Sequence, residues 1–339
     1  MSTRLGDWGV TDYTPLMALK PRSQNFLEEL GLFTDVNTEY LDGSIFEMER
    51  EEKGLTGMYN VSRGADRQFA GTESARKEFL QVPFATLDAI TKPQEVDGFR
   101  QYGTESETAD IKLLVERKIE HIQRSHARYI RNAQYRALVD NKVFAVDKEG
   151  NEITSLARNF STLWGKARGT ASIDLTDQST NPYLGLAKVR EQVMTHAGDD
   201  GDNYEVMVLV NSKQFDQITT HAKVEAAYAN YPSTQEPLRR RLSGNRNNRS
   251  FDHEGILLVE DISGKIADGK CFGLPLGMDG VFMAAFAPAD TVADVGKISK
   301  GSYLFMKENW RSVVVESEVA YLAGIVRPEL ITDITVTVA

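Results

Sequence analysis

Residues 37–103 constrain this chain more than any other stretch, because they are too charged and too often interrupted by glycine to close a core of their own. They hold seven glycines and twenty charged residues, including the run Glu49-Arg50-Glu51-Glu52-Lys53. The stretch opens in strand-like alternation, Glu39-Tyr40-Leu41-Asp42 and then Gly43 to Glu49. Gly54, Gly57, Gly64 and Gly71 mark bends, and residues 79–91 read as a return leg in which Pro83 suits an edge strand. An isolated two-stranded projection is marginal in water, and loops longer than about 12–15 residues are usually functional or disordered. An ordered projection of this length is therefore expected to lie on another molecule, which points to a chain that assembles.

A long amphipathic helix follows. Thr104 and Glu107 make a capping box, and Ile111, Val115, Ile119, Ile122, His126, Tyr129, Ala133 and Ala137 recur at helical spacing. The opposite face carries Lys112, Glu116, Arg117, Glu120, Arg124, Arg128 and Arg131. A helix of this reach spans roughly 50 Å. Upstream, residues 1–36 read as an arm, with a short helix over Gln24–Leu30 that ends at Gly31.

Downstream, residues 143–153 suggest a hairpin, Tyr183–His196 a helix closed by Gly198, and Glu205–Val210 and Ile256–Ile262 buried strands. Residues 211–229 look helical, Pro232–Arg249 reads as a polar loop, and the Gly/Pro-rich stretch 264–280 as turns. Val313–Val315 and Ile334–Val338 read as closing strands. The mixture is α+β.

Composition narrows the function. The 339 residues are 41% hydrophobic with a formal net charge of −10, so the chain lacks the basic footprint of a protein that grips nucleic acid along its length. No apolar run approaches the roughly 20 residues of a membrane helix, and MSTRLGDWGV does not read as a secretory signal. Cys271 is the only cysteine, which excludes an intrachain disulfide and suits a buried small hydrophobe in a reducing compartment.

Catalytic motifs are absent from the sequence. Gly264-Lys265 and Gly296-Lys297 lack the rest of a phosphate-binding loop. His121 and His126 stand five apart and cannot share a helix face as zinc ligands. Asp199, Asp200 and Asp202 lack the later ligands of a calcium loop and read as a solvated loop. Asp252-His253-Glu254 reads as a turn before a strand. No cofactor or metal is expected. The one basic cluster, Arg239, Arg240, Arg241, Arg246 and Arg249, has three readings: a solvated surface, pairing with acidic groups of a neighbouring subunit, or contact with nucleic acid.

The order of these parts resembles the lambda-like major capsid protein E family of tailed phages. The resemblance is carried by Phe33-Thr34-Asp35-Val36-Asn37-Thr38-Glu39-Tyr40-Leu41 and by Leu138-Val139-Asp140-Asn141-Lys142 after the long helix. It continues in Tyr303-Leu304-Phe305-Met306-Lys307-Glu308-Asn309-Trp310, Val319-Ala320-Tyr321-Leu322 and Arg327-Pro328-Glu329. It implies the tailed-phage and herpesvirus capsid fold, with an N-terminal arm at 1–36 and an extended loop at 37–103. A peripheral domain at 104–170 and 300–339 would hold the spine helix, and an axial domain would span 171–299. The implied function is that of a non-enzymatic head protein forming pentamers and hexamers of an icosahedral shell around double-stranded DNA. The implied partners are the chain itself, a portal, a scaffold and a decoration protein, with weak, non-specific DNA contact and no membrane. The implied location is the virion, after assembly in the host cytoplasm.

Arg50, Lys53, Arg239, Arg240 and Arg241 are the expected intersubunit residues. Some proteins of this fold crosslink covalently through a Lys and an Asn. Lys53 lies in the loop here, but nothing in the sequence supplies the catalytic glutamate constellation, so non-covalent assembly is expected. Two alternatives stay open at this level: an encapsulin-type cellular compartment, and a soluble metal-dependent enzyme using Asp199, Asp202 or His253.

Overall fold

The computed structural model describes residues 3–5, 10–19, 25–52, 74–98, 111–198, 204–229, 239–241 and 248–337. Among these, the strands form an eight-stranded sheet, a seven-stranded sheet and a separate two-stranded hairpin, accompanied by helices. The class is α+β, as expected.

The spine helix runs Ile111–Asp140, while the expected start at Thr104 lies outside the described residues. Val115, Ile119, Ile122, His126, Ala133 and Ala137 are buried along one stripe, but Ile111 at the first turn is exposed. The N-terminal half covers Leu304 and Val315 in a small cluster of its own, and the C-terminal half enters the main core through Ile130, Ala137 and Leu138. The helix ends on a buried cation. Arg168 donates to the carbonyls of Leu138 at 2.6 Å and Ala137 at 3.1 Å, and to Asp333 Oδ1 at 3.1 Å. Guanidinium groups suit a helix C-terminus because the last carbonyls have no partners within the helix.

The eight-stranded sheet is organised by the long strand Ser312–Ile325. One edge pairs with Ser302–Asn309, and the other takes Ala89–Thr91, Phe84–Thr86 and Phe282–Ala287 in succession. Thr38–Tyr40 adds in parallel to Phe282–Ala287, and Val10–Asp12 adds to Ser302–Asn309. Within the charged stretch 37–103, Thr38–Tyr40, Phe84–Thr86 and Ala89–Thr91 are thus strands of the body. Pro83 stands just before Phe84–Thr86, outside any strand, where its missing amide costs nothing, and its carbonyl accepts from Tyr321 N at 3.2 Å.

The seven-stranded sheet runs in the order Arg239–Arg241, Arg249–His253, Ile256–Asp261, Glu205–Asn211, Lys270–Leu276, Thr332–Thr337 and Gly169–Asp174. The stretch 264–280, expected to hold turns, does so at both ends, and between them runs the inner strand Lys270–Leu276, which the sequence does not announce. A Cβ at Gly273 would lie 2.3 Å from Val189 Cγ1, so the glycine admits the helix Tyr183–Ala197 against the sheet. The segment Pro232–Arg249, read as a loop, contributes Arg239–Arg241 and the first residue of Arg249–His253 as paired strands.

Smaller differences follow the same lines. The helical stretch 211–229 divides into Ser212–Thr219, capped by Asn211, and Ala222–Ala229. The hairpin expected over 143–153 reduces to a bridge between Val146 and Glu152 around a turn with Gly150 at φ 86°. The short helix near Gly31 runs Phe26–Glu29 with an Asn25/Glu28 capping box.

Candidate assembly surface

The separate hairpin pairs Ile45–Glu52 with Ser74–Gln81. Period-two alternation gives it two unlike faces. Phe46, Met48 and Leu80 point inward and are buried, while Ile45, Glu47, Glu49, Lys77 and Phe79 point outward and are exposed. The described part of the hairpin therefore stands on its own chain, contrary to the expectation that another molecule must support it. The reason is legible once the register is known. Phe46 sits opposite Leu80, and Met48 reaches the backbone side of Gly324, where an added Cβ would meet its Cε at 3.0 Å. Lys53 and residues through 73 lie outside the described residues.

Two arginines meet at one rung of this ladder, Arg50 opposite Arg76. Like charges placed so repel, and each is drawn off to separate acceptors. Arg50 makes a two-pronged contact with Glu329, Nη2 to Oε1 at 2.7 Å and Nη1 to Oε2 at 3.2 Å. The two side chains are 11% and 5% exposed. Planar fork-to-carboxylate geometry makes such a pair strong and directional. Glu329 lies in the 3-10 turn Pro328–Leu330, between the long strand of one sheet and Thr332–Thr337 of the other. Its backbone carbonyl accepts from Gln192 Nε2 at 3.0 Å, and Arg327 Nε stands 3.9 Å from its carboxylate.

Arg76 donates to the carbonyls of Leu163 at 2.7 Å and Trp164 at 3.2 Å, closing the helix Phe160–Trp164, and to Glu78 Oε1. Its guanidinium lies 5.9 Å from the Trp164 ring centroid. On the outward face Lys77 pairs with Glu47 at 2.5 Å and Glu49 at 3.6 Å, and the bond to Glu47 raises its pKa.

The root of the hairpin is tied to the spine helix by His126. Its Nε2 lies 3.1 Å from Ser317 Oγ, and that hydroxyl donates to Leu87 O at 2.5 Å. With the serine proton so used, His126 Nε2 is the donor, and the buried Nδ1 has no partner among the described residues. Desolvation holds this imidazole down at about 4.

The remaining candidates separate cleanly. Arg249 is engaged within its own chain, donating to Glu260 Oε2 at 2.8 Å and Oε1 at 2.9 Å on the neighbouring strand and to Asp216 Oδ1 at 2.6 Å on the helix Ser212–Thr219. Those bonds raise its pKa and lower that of Glu260. Arg239–Arg241 forms the edge strand beside it. Arg246, Asp199, Asp200 and Asp202 lie outside the described residues. His253 is buried between Tyr183 and Phe251, and desolvation lowers its pKa. Cys271 is buried, and desolvation pushes its thiol up to about 12. His121 is exposed on the spine helix. Among the described residues no cluster of His, Cys, Asp or Glu could hold a metal ion. Sequence reasoning missed Arg76, Arg168 and Glu329, all of which act on partners far away in the chain.

A body of two sheets, a spine helix and a hairpin moored at its root match known proteins along nearly their whole length. The family model described as phage major capsid protein E matches residues 10–336. The chain belongs to the phage major capsid protein E family. The major capsid protein of Pseudomonas phage KPP10 is 25% identical over 344 residues, covering 95% of each chain. The capsid structure of cyanophage P-SCSP1u aligns at a TM-score of 0.51 with 9% identity, over 94% of this chain and 89% of that one. The capsid of a native GTA particle aligns at 0.51 with 10% identity, over 94% and 92%. At such identities the structural likeness is one of fold, and the fold is that of tailed-phage capsid proteins. The chain is therefore a structural subunit of a phage head that assembles with copies of itself, not an enzyme. The compartment and metalloenzyme alternatives give way to this family match.

Proposed function

We propose that this capsid protein closes into pentamers and hexamers of an icosahedral shell around double-stranded DNA, with each subunit's hairpin lying on a neighbour. The observation that carries the reading is the hairpin's two-faced construction. Its inward face is fixed to its own body, while Ile45 and Phe79 stand out at 60% and 64% exposure. A moored hairpin that presents apolar side chains outward suits contact with another subunit.

Within this reading residues 1–36 serve as arm, 37–103 as extended loop, 104–170 with 300–339 as peripheral domain, and 171–299 as axial domain. Lys53, Arg239, Arg240 and Arg241 contact neighbouring subunits, and Arg50 serves by holding the hairpin. A portal, a scaffold and a decoration protein are the further partners, and assembly takes place in the host cytoplasm. DNA contact is weak, since a net charge of −10 disfavours adhesion to phosphate.

Electron microscopy of the purified protein tests the reading directly, with closed shells expected. Deleting residues 53–73 should leave a folded protein that no longer forms them, and normal shells from that variant would overturn the role of the loop. Replacing Arg239, Arg240 and Arg241 with Ala should lower capsomer yield. Normal assembly with less packaged DNA would reassign that strand to nucleic acid.

A further inference from the structure

The eight-stranded sheet carries two exposed apolar features at opposite ends of one strand. At one end Trp310 stands at the turn joining Ser302–Asn309 to Ser312–Ile325 and is 87% exposed, with the Arg311 guanidinium 4.0 Å from its ring centroid. At the other end the connection before Ser302 holds Val292, Val295 and Ile298 at 78%, 77% and 69% exposure. This connection is fixed in place. Thr291 Oγ1 donates to Asp294 Oδ2 at 2.7 Å, Lys297 N to Asp294 O at 3.1 Å, and Ser299 N to Leu41 O at 2.8 Å. Asp294 and Ser299 are buried beneath it, so the aliphatic side chains are held out by the fold. Three exposed aliphatic side chains in seven residues form a patch of the kind that marks an interaction site.

Both ends carry mixed charge, with Lys307 and Glu308 exposed just before Trp310, but carboxylates gather at one end and a guanidinium covers the indole at the other. Beside the aliphatic connection Asp290 N is bonded to Glu318 Oε2 at 2.9 Å, and Glu316 and Asp88 crowd the same carboxylate. Lys297 and Lys300 are the exposed cations there, and Lys300 already stands 3.6 Å from Asp12. The opposite end offers Arg311 stacked on the exposed indole. Tryptophan and arginine are the residues most often found at the energetic centre of protein interfaces.

The geometry points to a head-to-tail contact between copies of this chain, in which the Trp310–Arg311 turn of one subunit seats on the Val292/Val295/Ile298 connection of the next. A subunit cannot satisfy itself, because an eight-residue strand keeps its two ends about 25 Å apart. A contact between unlike surfaces is heterologous, so it propagates into rings or an open lattice instead of stopping at a dimer. This inference rests on the shell reading above and names one of the contacts that would build it. Aliphatic burial supplies the attraction, and Arg311 meeting the Asp290/Glu318 carboxylates sets the orientation.

The test is the critical concentration for assembly, followed by light scattering and electron microscopy. Trp310→Ala should raise it about thirtyfold, and Trp310→Phe should recover most of the loss. The double change Val295→Ser with Ile298→Ser should act similarly. Joining it to Trp310→Ala should add little, because both remove the same contact. All variants should melt as the wild type does, since the side chains are exposed.

An unchanged critical concentration, or full additivity of the two changes, would overturn the proposal. So would variants that assemble normally but lose a second virion protein, which would assign the turn to another partner. A wild-type protein that never assembles would break the shell reading instead. The contact is then read from oxidation of Arg311→Cys chains mixed with Lys297→Cys chains. Crossed disulfide dimers are expected, free of interference from the buried Cys271, and their absence would overturn the proposal.

Discussion

The hairpin root and the seven-stranded sheet are held by different kinds of force. In the sheet, Val206, Val208 and Val210 stack beside Ile256 and Leu258 in parallel strands, with Phe215 and Ile218 of the covering helix fully buried. That stabilisation is non-directional and grows with apolar area. At the hairpin root the apolar contribution is a few side chains, chiefly Phe46, Met48 and Leu80, and direction comes from Arg50 on Glu329 and Arg76 on the carbonyls of Leu163 and Trp164. Hydrophobic burial can keep a sheet folded, but it cannot aim a hairpin. Charge-assisted bonds with fixed geometry can.

The sharpest way to break the contrast is to damage each region in its own terms. Phe215→Ala should cost about 3–5 kcal/mol, because a fully buried ring leaves a cavity, and a lowered melting temperature for the whole protein is expected. Arg50→Ala should cost about 3 kcal/mol, because it strips both charge-assisted bonds from the buried Glu329 carboxylate and leaves only the longer Arg327 contact at 3.9 Å. Its effect should be local. Amide exchange should quicken across Ile45–Glu52 and Ser74–Gln81 while the seven-stranded sheet stays protected. Exchange that rises equally everywhere would show that the hairpin is no separate unit.

A third change probes the junction of hairpin root and spine helix through pH. His126 is held neutral at about 4, against an ordinary 6.5. The unfolded chain takes up this proton first, so stability is complete above pH 6.5 and declines as pH falls from there toward 4. The loss reaches about 3 kcal/mol for this one group. His126→Gln should flatten that part of the stability profile, measured by denaturant titration between pH 7 and 4. A slope unchanged by the substitution would remove the junction from the account.

The smaller effects sharpen the picture. Arg76→Ala should cost about 1 kcal/mol, since its carbonyl acceptors can turn to water, and should loosen Ser74–Gln81 more than Ile45–Glu52. Lys77→Ala should leave the melting temperature unchanged, because its pairs with Glu47 and Glu49 lie on an exposed face.

Much of the fold could be read from the chain, and the reason is periodicity. The spine helix repeats its apolar stripe over enough turns that Val115, Ile119, Ile122, His126 and Ala133 identify themselves. The alternation of Ile45 to Glu49 likewise marks a two-faced strand. What stayed hidden were the long-range partners. Nothing local in Glu329 announces Arg50, which lies 279 residues away, and Arg168 gives no hint that it closes a helix ending near residue 140. The strand Lys270–Leu276 was concealed by Gly273 and Pro275, whose placement makes sense only beside Val189 and Val206. Family resemblance supplied the order of the parts but none of these contacts.

The mooring of Arg50 on Glu329 also sets a timetable. A ribosome finishes the hairpin first and adds its anchor 279 residues after Arg50. At about 5–20 residues per second, that interval lasts roughly fifteen to fifty-five seconds. The strands that receive the hairpin's flanks arrive late as well, since Thr38–Tyr40 waits for Phe282–Ala287 and Phe84–Thr86 for the long strand. A nascent chain therefore cannot moor its hairpin before Glu329 has been synthesised. The Arg50–Glu329 bond, and any contact between copies that depends on it, therefore comes later than the pairing of the hairpin's own strands.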